Sequence, residues 1–498
     1  MGGNRLLPPQ SDRLLPAIPE VTRDRLDLAS AVGWVLAVAG FMIGSRTIAD
    51  NSFLTHLATG ELILDAAAVP TTDPYSLLGN GQSWTVQSWL VSLVYAVADR
   101  QFGGWSIRVL HGLVTLAITR GLWRLTSPAR QLLTRVGLVG LTLLVGTSLW
   151  TPRPLLFGLL AMVVVLQVAQ GMRPRWWLLP VFWFWVNAHG SFVLGAVVLG
   201  AIALGAAIDT RAVPRAELKL VLTAAVGCLA GMIGPLGWRL LWFPLHLLGR
   251  GDVLEHVAEW GSPSFRSPVQ QLFLVSLALI AVGASHRAGW RALLPALVFF
   301  VAGLMAARNL GVGTIVIVAM MAPSLQHLAG SVDGATRGRM PRLVVGMAAV
   351  VLALALWATS RGTVLDLEEF PTDEVTWLDA RSLVADSDVR LLQRDYVGNY
   401  LTLRYGPEAR VFMDDRYDFH SRDVLNDHAA LLLGGDMAAV VDRNGFDVAL
   451  WATSTPFHRW IEAQDDWEIV RSDESWFVAC RTTSAVHDRC TPSYRPLE

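Results

Sequence analysis

The sequence predicts an α-helical polytopic membrane protein of about eleven spans with a small C-terminal α/β domain outside the membrane. Three observations lead there. The chain is too apolar for a water-soluble protein, with 53% hydrophobic against 16% charged residues among 498. Uncharged blocks recur at 28–45, 136–152, 154–172, 176–208, 220–238 and 267–285. As helices, such blocks can cross about 30 Å of hydrocarbon, and 176–208 is long enough for two. Residues 360–498 differ in character, with short β-rich runs and an amphipathic helical stretch.

Taken in order, residues 1–27 hold four Arg, four acids and several Pro, with no apolar run before Leu28. They read as a cytoplasmic tail feeding a signal-anchor helix. A transmembrane domain spans 28–359, with helices near 28–46, 104–123, 134–150, 152–171, 174–187, 191–208, 218–235, 268–285, 291–307, 310–326 and 342–359. Basic residues set the orientation. Arg124, Arg130 and Arg135, then Arg173 and Arg175, Arg211, Arg215 and Lys219, Arg287 and Arg291, and Arg337, Arg339 and Arg342 all fall in alternate loops, which are therefore inside. The long first loop, 47–103, carries no Lys or Arg between Arg46 and Arg100 and is outside, with 87–102 read as an interfacial helix. An odd number of spans places the domain 360–498 outside as well. Its strands are expected at Arg410–Met413, Asp447–Trp451, Trp467–Arg471 and Trp476–Arg481, and its helix at Asp427–Asp442. Cys480 and Cys490 are a disulfide candidate in an oxidising compartment, whereas Cys228 lies within a span as an apolar filler. The twenty Trp have two readings, an interfacial aromatic belt or sugar-stacking platforms; Trp451, Trp460, Trp467 and Trp476 suit the core of a small domain.

Under this topology the polar residues of the helix ends gather on the outer side. Asp50 ends the first helix, His56 and Glu61 follow, and Arg153, Asn187, His189, Glu259 and Arg308 occupy later outer turns. Each alone is an ordinary solvated or capping residue, but their shared depth predicts a polar cavity at the outer surface. A carboxylate beside a guanidinium suits transfer of a group from a lipid-linked phosphate: the acid takes a proton from the attacking hydroxyl and Arg neutralises the departing phosphate. No Walker A sequence, no dinucleotide glycine pattern, no nucleophile elbow and no long basic run for nucleic acid is present. Metal ligation has no convincing sequence pattern either. His56 and Glu61 are five apart, and Asp414-Asp415 reads as a turn.

The stretch Asp50-Asn51-Ser52-Phe53-Leu54-Thr55-His56-Leu57-Ala58-Thr59-Gly60, followed by Pro70, Asp73-Pro74-Tyr75-Ser76, Trp84 and Trp89-Leu90, resembles the first outer loop of bacterial GT-C superfamily glycosyltransferase-like membrane proteins. Arg153-Pro154, Trp185-Val186-Asn187-Ala188-His189-Gly190, Pro235-Leu236-Gly237-Trp238, Glu259-Trp260, Arg308, Gly398-Asn399-Tyr400-Leu401 and Val411-Phe412-Met413-Asp414-Asp415-Arg416 are similar to later landmarks of that group. The resemblance implies a GT-C-like fold and a polyprenyl-phosphate-linked sugar donor. By position it makes Asp50 the catalytic base. Arg153 and Arg308 become phosphate ligands, and His56, Glu61, Asn187, His189 and Glu259 line the cleft. The acceptor would be a glycan, lipid or protein of the bacterial envelope, outside the cytoplasmic membrane. No cofactor is predicted, and a divalent metal is left open. The chain departs from the group at Leu54-Thr55, where aromatic residues are usual, at Gln87-Ser88-Trp89 in place of His-Glu-Trp, and at Gly234 in place of Asn. Two other readings stand beside the transferase. One is a transporter or lipid-carrier flippase, for which Arg108 and His111 inside the second helix are the polar candidates. The other is a non-catalytic envelope scaffold.

Overall fold

The computed structural model describes residues 27–251, 258–325 and 339–491. The tail expected at 1–27 therefore lies outside the described residues except for Asp27, and so does Arg337.

A helix occupies each range expected to span. The first ten helices are α1 Leu28–Gly44, α2 Ser52–Ala66, α3 Trp89–Phe102, α4 Trp105–Leu125, α5 Leu132–Leu149, α6 Leu155–Ala169, α7 Leu178–Ala188, α8 Phe192–Thr210, α9 Arg215–Ala230 and α10 Arg239–Leu248. Beyond them come Pro268–Phe273 and Val275–Ser285, which continue one another, then Trp290–Met305, Leu310–Met321 and Arg339–Arg361. Among the described residues five segments are long and apolar enough to cross a membrane: 132–149, 192–210, 268–285, 307–325 and 341–361. Shorter apolar helices cover 28–44, 155–169 and 290–305. The chain is thus a multi-pass membrane protein.

Local chemistry explains the ends and the contacts. Asp27 caps α1, its carboxylate accepting from the Ser30 N–H at 2.7 Å. Gly40 and Gly44, one turn apart, let α1 meet α4 backbone to side chain. A Cβ at either position would fall 2.2 Å from Thr119 Oγ1 or 2.3 Å from Thr115 Oγ1. On Arg339–Arg361 the residues Leu343, Met347, Val350, Leu354 and Trp357 form an exposed apolar stripe at helical spacing. Such a stripe is stable against lipid tails and unfavourable against water.

The C-terminal domain carries a four-stranded sheet in the order β1-β2-β4-β3, with β1 Leu391–Gln393, β2 Val448–Ala452, β3 Trp467–Ser472 and β4 Trp476–Arg481. β1 runs parallel to β2, and the other pairs are antiparallel. Two expectations are corrected. Arg410–Met413 is no sheet strand, because Val411 spends its backbone groups on Tyr75 and Leu77 of the first loop, at 2.9 and 2.8 Å. The helix expected over Asp427–Asp442 is two helices, Arg422–Leu433 and Met437–Asn444, broken where Gly434 takes φ +94°. Trp451, Trp467 and Trp476 are core residues. Cys480 and Cys490 form a disulfide that ties β4 to the last described helix, His487–Cys490.

Candidate active site

A cavity of about 570 Å³ opens between the helical bundle, the first loop and the C-terminal domain. Short turns position its charged groups. Arg153 sits between α5 and α6, where Pro154 starts the next helix; His189 sits in the break between α7 and α8; Arg308 follows the helix Trp290–Met305. Helix α2 lies along the floor and presents Ser52, Thr55, His56 and Thr59.

Of the residues read from the sequence, His56, Arg153, His189, Glu259 and Arg308 converge on this cavity. Arg153 is the hub. Its Nε donates to Asp50 Oδ2 at 2.6 Å, and its Nη1 contacts both Glu259 oxygens at 2.8 Å. Burial opposes the charge on Arg153, but the Asp50 and Glu259 carboxylates hold its pKa above the ordinary value. Arg308 stacks on the Trp260 ring at 4.3 Å and, among the described residues, forms no ion pair. Burial and the nearby Arg153 charge push His56 down to about 4. Burial with Arg308, His56 and Arg153 pushes His189 down to about 3. Both imidazoles are neutral at pH 7. His56 Nδ1 lies 3.2 Å from Ser92 Oγ, and His189 Nδ1 accepts from the Ser191 N–H at 3.1 Å.

Three expected residues are placed differently. Asp50 is only 5% exposed, with Arg153 covering it, so its carboxylate does not face the cavity. Glu61 points away from the cavity and pairs with Arg100, which also binds Asp65 at 2.8 Å; the helical period of α2 puts it on the face opposed to α3. Asn187 is fully buried: its Oδ1 accepts from Trp89 Nε1 at 3.0 Å and its amide donates to the Trp183 and Gly231 carbonyls. A Cβ at Gly234 would fall 2.9 Å from that Oδ1, so a side chain there would have to displace the Asn187 amide. Gln87, at another departure, receives the Gly190 N–H at 2.9 Å, while Ser88 lines the cavity with an unpaired hydroxyl. The polar candidates for transport are also bound up. Arg108 donates to the Ser45, Thr359 and Thr363 carbonyls, and His111 Nε2 lies 2.9 Å from Tyr95 Oη.

What sequence reasoning missed comes from the C-terminal domain, whose loop 414–420 closes the cavity. Asp415, Arg416, Tyr417 and Asp418 line it together with Asp395. Arg416 is the seam between the domains. It contacts Asp73 at 2.5 Å and Asp414 at 2.6 Å, donates to Ser76 Oγ at 3.1 Å, and sits among the Tyr75, Trp84 and Phe419 rings. Burial would raise Asp414, yet Arg416 and His420 hold it well below the usual carboxylate range. Just past the end of α10, Arg250 clamps the same loop by donating to the Asp418 and His420 carbonyls at 2.5 Å. The available signal was the Asp414-Asp415-Arg416 run, whose charges are too dense for an ordinary turn. Among the described residues no three His, Cys, Asp or Glu side chains form a metal-holding group.

The architecture is thus a helical bundle closed at one end by a long first loop and a C-terminal α/β domain. Among solved structures the chain is similar to the oligosaccharyltransferase of Archaeoglobus fulgidus in its apo form, with a TM-score of 0.53 and 12% identity over 85% of this chain and 69% of that one. At that identity the likeness is one of fold. Neither a protein-family model nor a curated protein matches the chain.

Proposed function

We propose that the protein is a membrane glycosyltransferase that moves a sugar from a polyprenyl-phosphate donor to a glycan, lipid or protein acceptor on the outer face of a bacterial cytoplasmic membrane. The observation that supports this reading is the mixed lining of the cavity, where the charged Arg153, Glu259 and Arg308 stand beside the apolar Leu155, Leu159, Val193, Phe243, Leu247 and Val312. An amphiphile with an isoprenoid tail and an anionic head suits a lining of both kinds. The fold shared with an oligosaccharyltransferase adds to this.

In this reading Arg308 receives the phosphate. Its guanidinium lies over the Trp260 ring and forms no ion pair with a carboxylate among the described residues, so a charge-assisted fork to phosphate costs little reorganisation. Arg153, held on both sides by Asp50 and Glu259, shapes the site and adds positive potential beside the leaving group. Neutral His56 and His189 offer hydrogen bonds to sugar hydroxyls without adding charge.

The test is transfer of radiolabelled sugar from polyprenyl-phosphate mannose, glucose and arabinose to membrane extract, comparing the purified protein with Arg308→Ala at matched melting temperature. Transfer by the parent and its loss in the variant are expected. No transfer from any of the three donors would reject the reading.

A further inference from the structure

Among the described residues four carboxylates line the cavity, and their partners decide which can take a proton. Glu259 has both oxygens on Arg153 Nη1. Asp395 accepts from Tyr417 Oη at 2.9 Å and has His428 at 3.9 Å. Asp418 sits at the domain seam, where the nearby charges are Arg416, Asp414 and His420. Asp50, behind these, is sealed by Arg153.

Asp415 differs. Its backbone N–H is fixed by Asn399 Oδ1 at 3.1 Å, and its Oδ1 lies 3.2 Å from Thr55 Oγ1, a hydroxyl shared with Asn399 Oδ1 at 2.8 Å. Ser52 supplies the other hydroxyl contact. Among the described residues no cationic side chain forms an ion pair with it. The charged groups around it are Asp414 on its own loop, Arg153 from the turn after α5, and Asp50 before α2. It lines the same cavity as Arg308, facing α2 through Thr55 and Ser52 and lying within reach of the Arg153 charge.

We propose that Asp415, delivered by the C-terminal domain, is the carboxylate that accepts the proton of the attacking hydroxyl, and that Asp50 is a positioning residue acting through Arg153. This rests on the transferase reading above. In the step, the acceptor oxygen bonds to the anomeric carbon as its proton passes to Asp415. The bond from that carbon to the phosphate oxygen breaks, and the electron pair leaves on the polyprenyl phosphate beside Arg308. Asp415 then returns its proton to water. Burial is consistent with the role: opposed by the Ser52 hydrogen bond and reinforced by Asp414, it raises Asp415 to about 6, so the group is ionised at pH 7 and retains basicity.

The experiment has two arms on the full chain in detergent. In the first, dicyclohexylcarbodiimide, which attacks protonated carboxyls in apolar cavities, is applied between pH 5.5 and 8 and the adducts are mapped by mass spectrometry. Label on Asp415 that declines as pH rises, with Asp50 protected, is expected. Label on Asp50 or Asp418 with Asp415 spared overturns the proposal. In the second arm, Asp415→Asn keeps the shape and the Thr55 contact and is expected to lower transfer about 100-fold or more. Its melting temperature should be unchanged, and Asp415→Glu should recover part of the rate. Parental transfer by Asp415→Asn overturns the proposal. A parent that transfers nothing while Asp415 is labelled rejects the transferase reading, and the proton-acceptor role with it, leaving only a free carboxylate.

Discussion

Two arginine clusters face the same cavity and are built on different principles. At the seam, Arg416 is buried, contacted by Asp73, Asp414 and Ser76, and boxed by three aromatic rings. In the cavity lining, Arg153 is shared between two carboxylates and is 28% exposed, and Arg308 has a ring beneath it and no ion pair among the described residues. The difference teaches what an arginine is for. A guanidinium whose donors are consumed by the protein joins parts of the protein; one that lies over a ring without an ion pair is poised for an anion from outside.

The sharpest way to break this contrast is at the seam. Arg416→Ala leaves Asp73 and Asp414 buried without their cation, and a loss of roughly 3–5 kcal/mol of stability is expected. The change is measured by thermal unfolding in detergent and by faster proteolysis of the C-terminal domain. An unchanged melting temperature would mean the seam is not what holds the domain.

Arg308→Ala should do the reverse: transfer falls about 100-fold while the melting temperature stays put, and Arg308→Lys recovers part of the rate because it restores charge without the planar fork. Equal losses of stability in the two variants would erase the distinction between seam and cavity.

A pH titration sharpens it further. His56 and His189 have folded pKa values lowered to about 4 and about 3, so they are neutral when folded and take up protons when unfolded. The stability they contribute is complete above the unfolded value near 6.5 and is lost as pH falls below it. Each should account for about 2 kcal/mol between pH 7 and pH 5, read from urea midpoints, and His56→Gln with His189→Gln should flatten the curve. Asp415 runs the other way, since its raised pKa makes the folded state less favourable as pH rises through about 6.

The smallest effect is expected at Glu61, which lies outside both clusters. Glu61→Gln removes a surface contact to Arg100 and should leave transfer and melting temperature within error of the parent. A large loss of transfer would return Glu61 to the site.

Much of the bundle was legible because lipid imposes a local rule. Each spanning segment must satisfy its own backbone and present apolar side chains, so uncharged blocks of sufficient length give nearly the observed helix boundaries, and the helix expected over 87–102 is α3. The C-terminal domain obeys no such rule. Its strand β1 is three residues long and carries no period, and the apolar run Arg410–Met413 pairs with the first loop instead of the sheet. Gly434-Gly435 inside an apparently continuous amphipathic pattern was the visible sign of a break.

The candidate site divides the same way. That His56, Arg153, His189, Glu259 and Arg308 share one end of the bundle follows from the sequence alone, because alternating spans return every second turn to the same side. The role of each partner does not follow. Whether Arg153 would cover Asp50, whether Glu61 would turn toward Arg100, and that Asp415 would reach Thr55 from 360 residues further along the chain depended on side-chain directions and on the docking of one domain against another. Hydropathy is summed over a segment and survives any packing of its neighbours; a hydrogen bond requires two groups within about 3 Å, and only the folded chain brings them there.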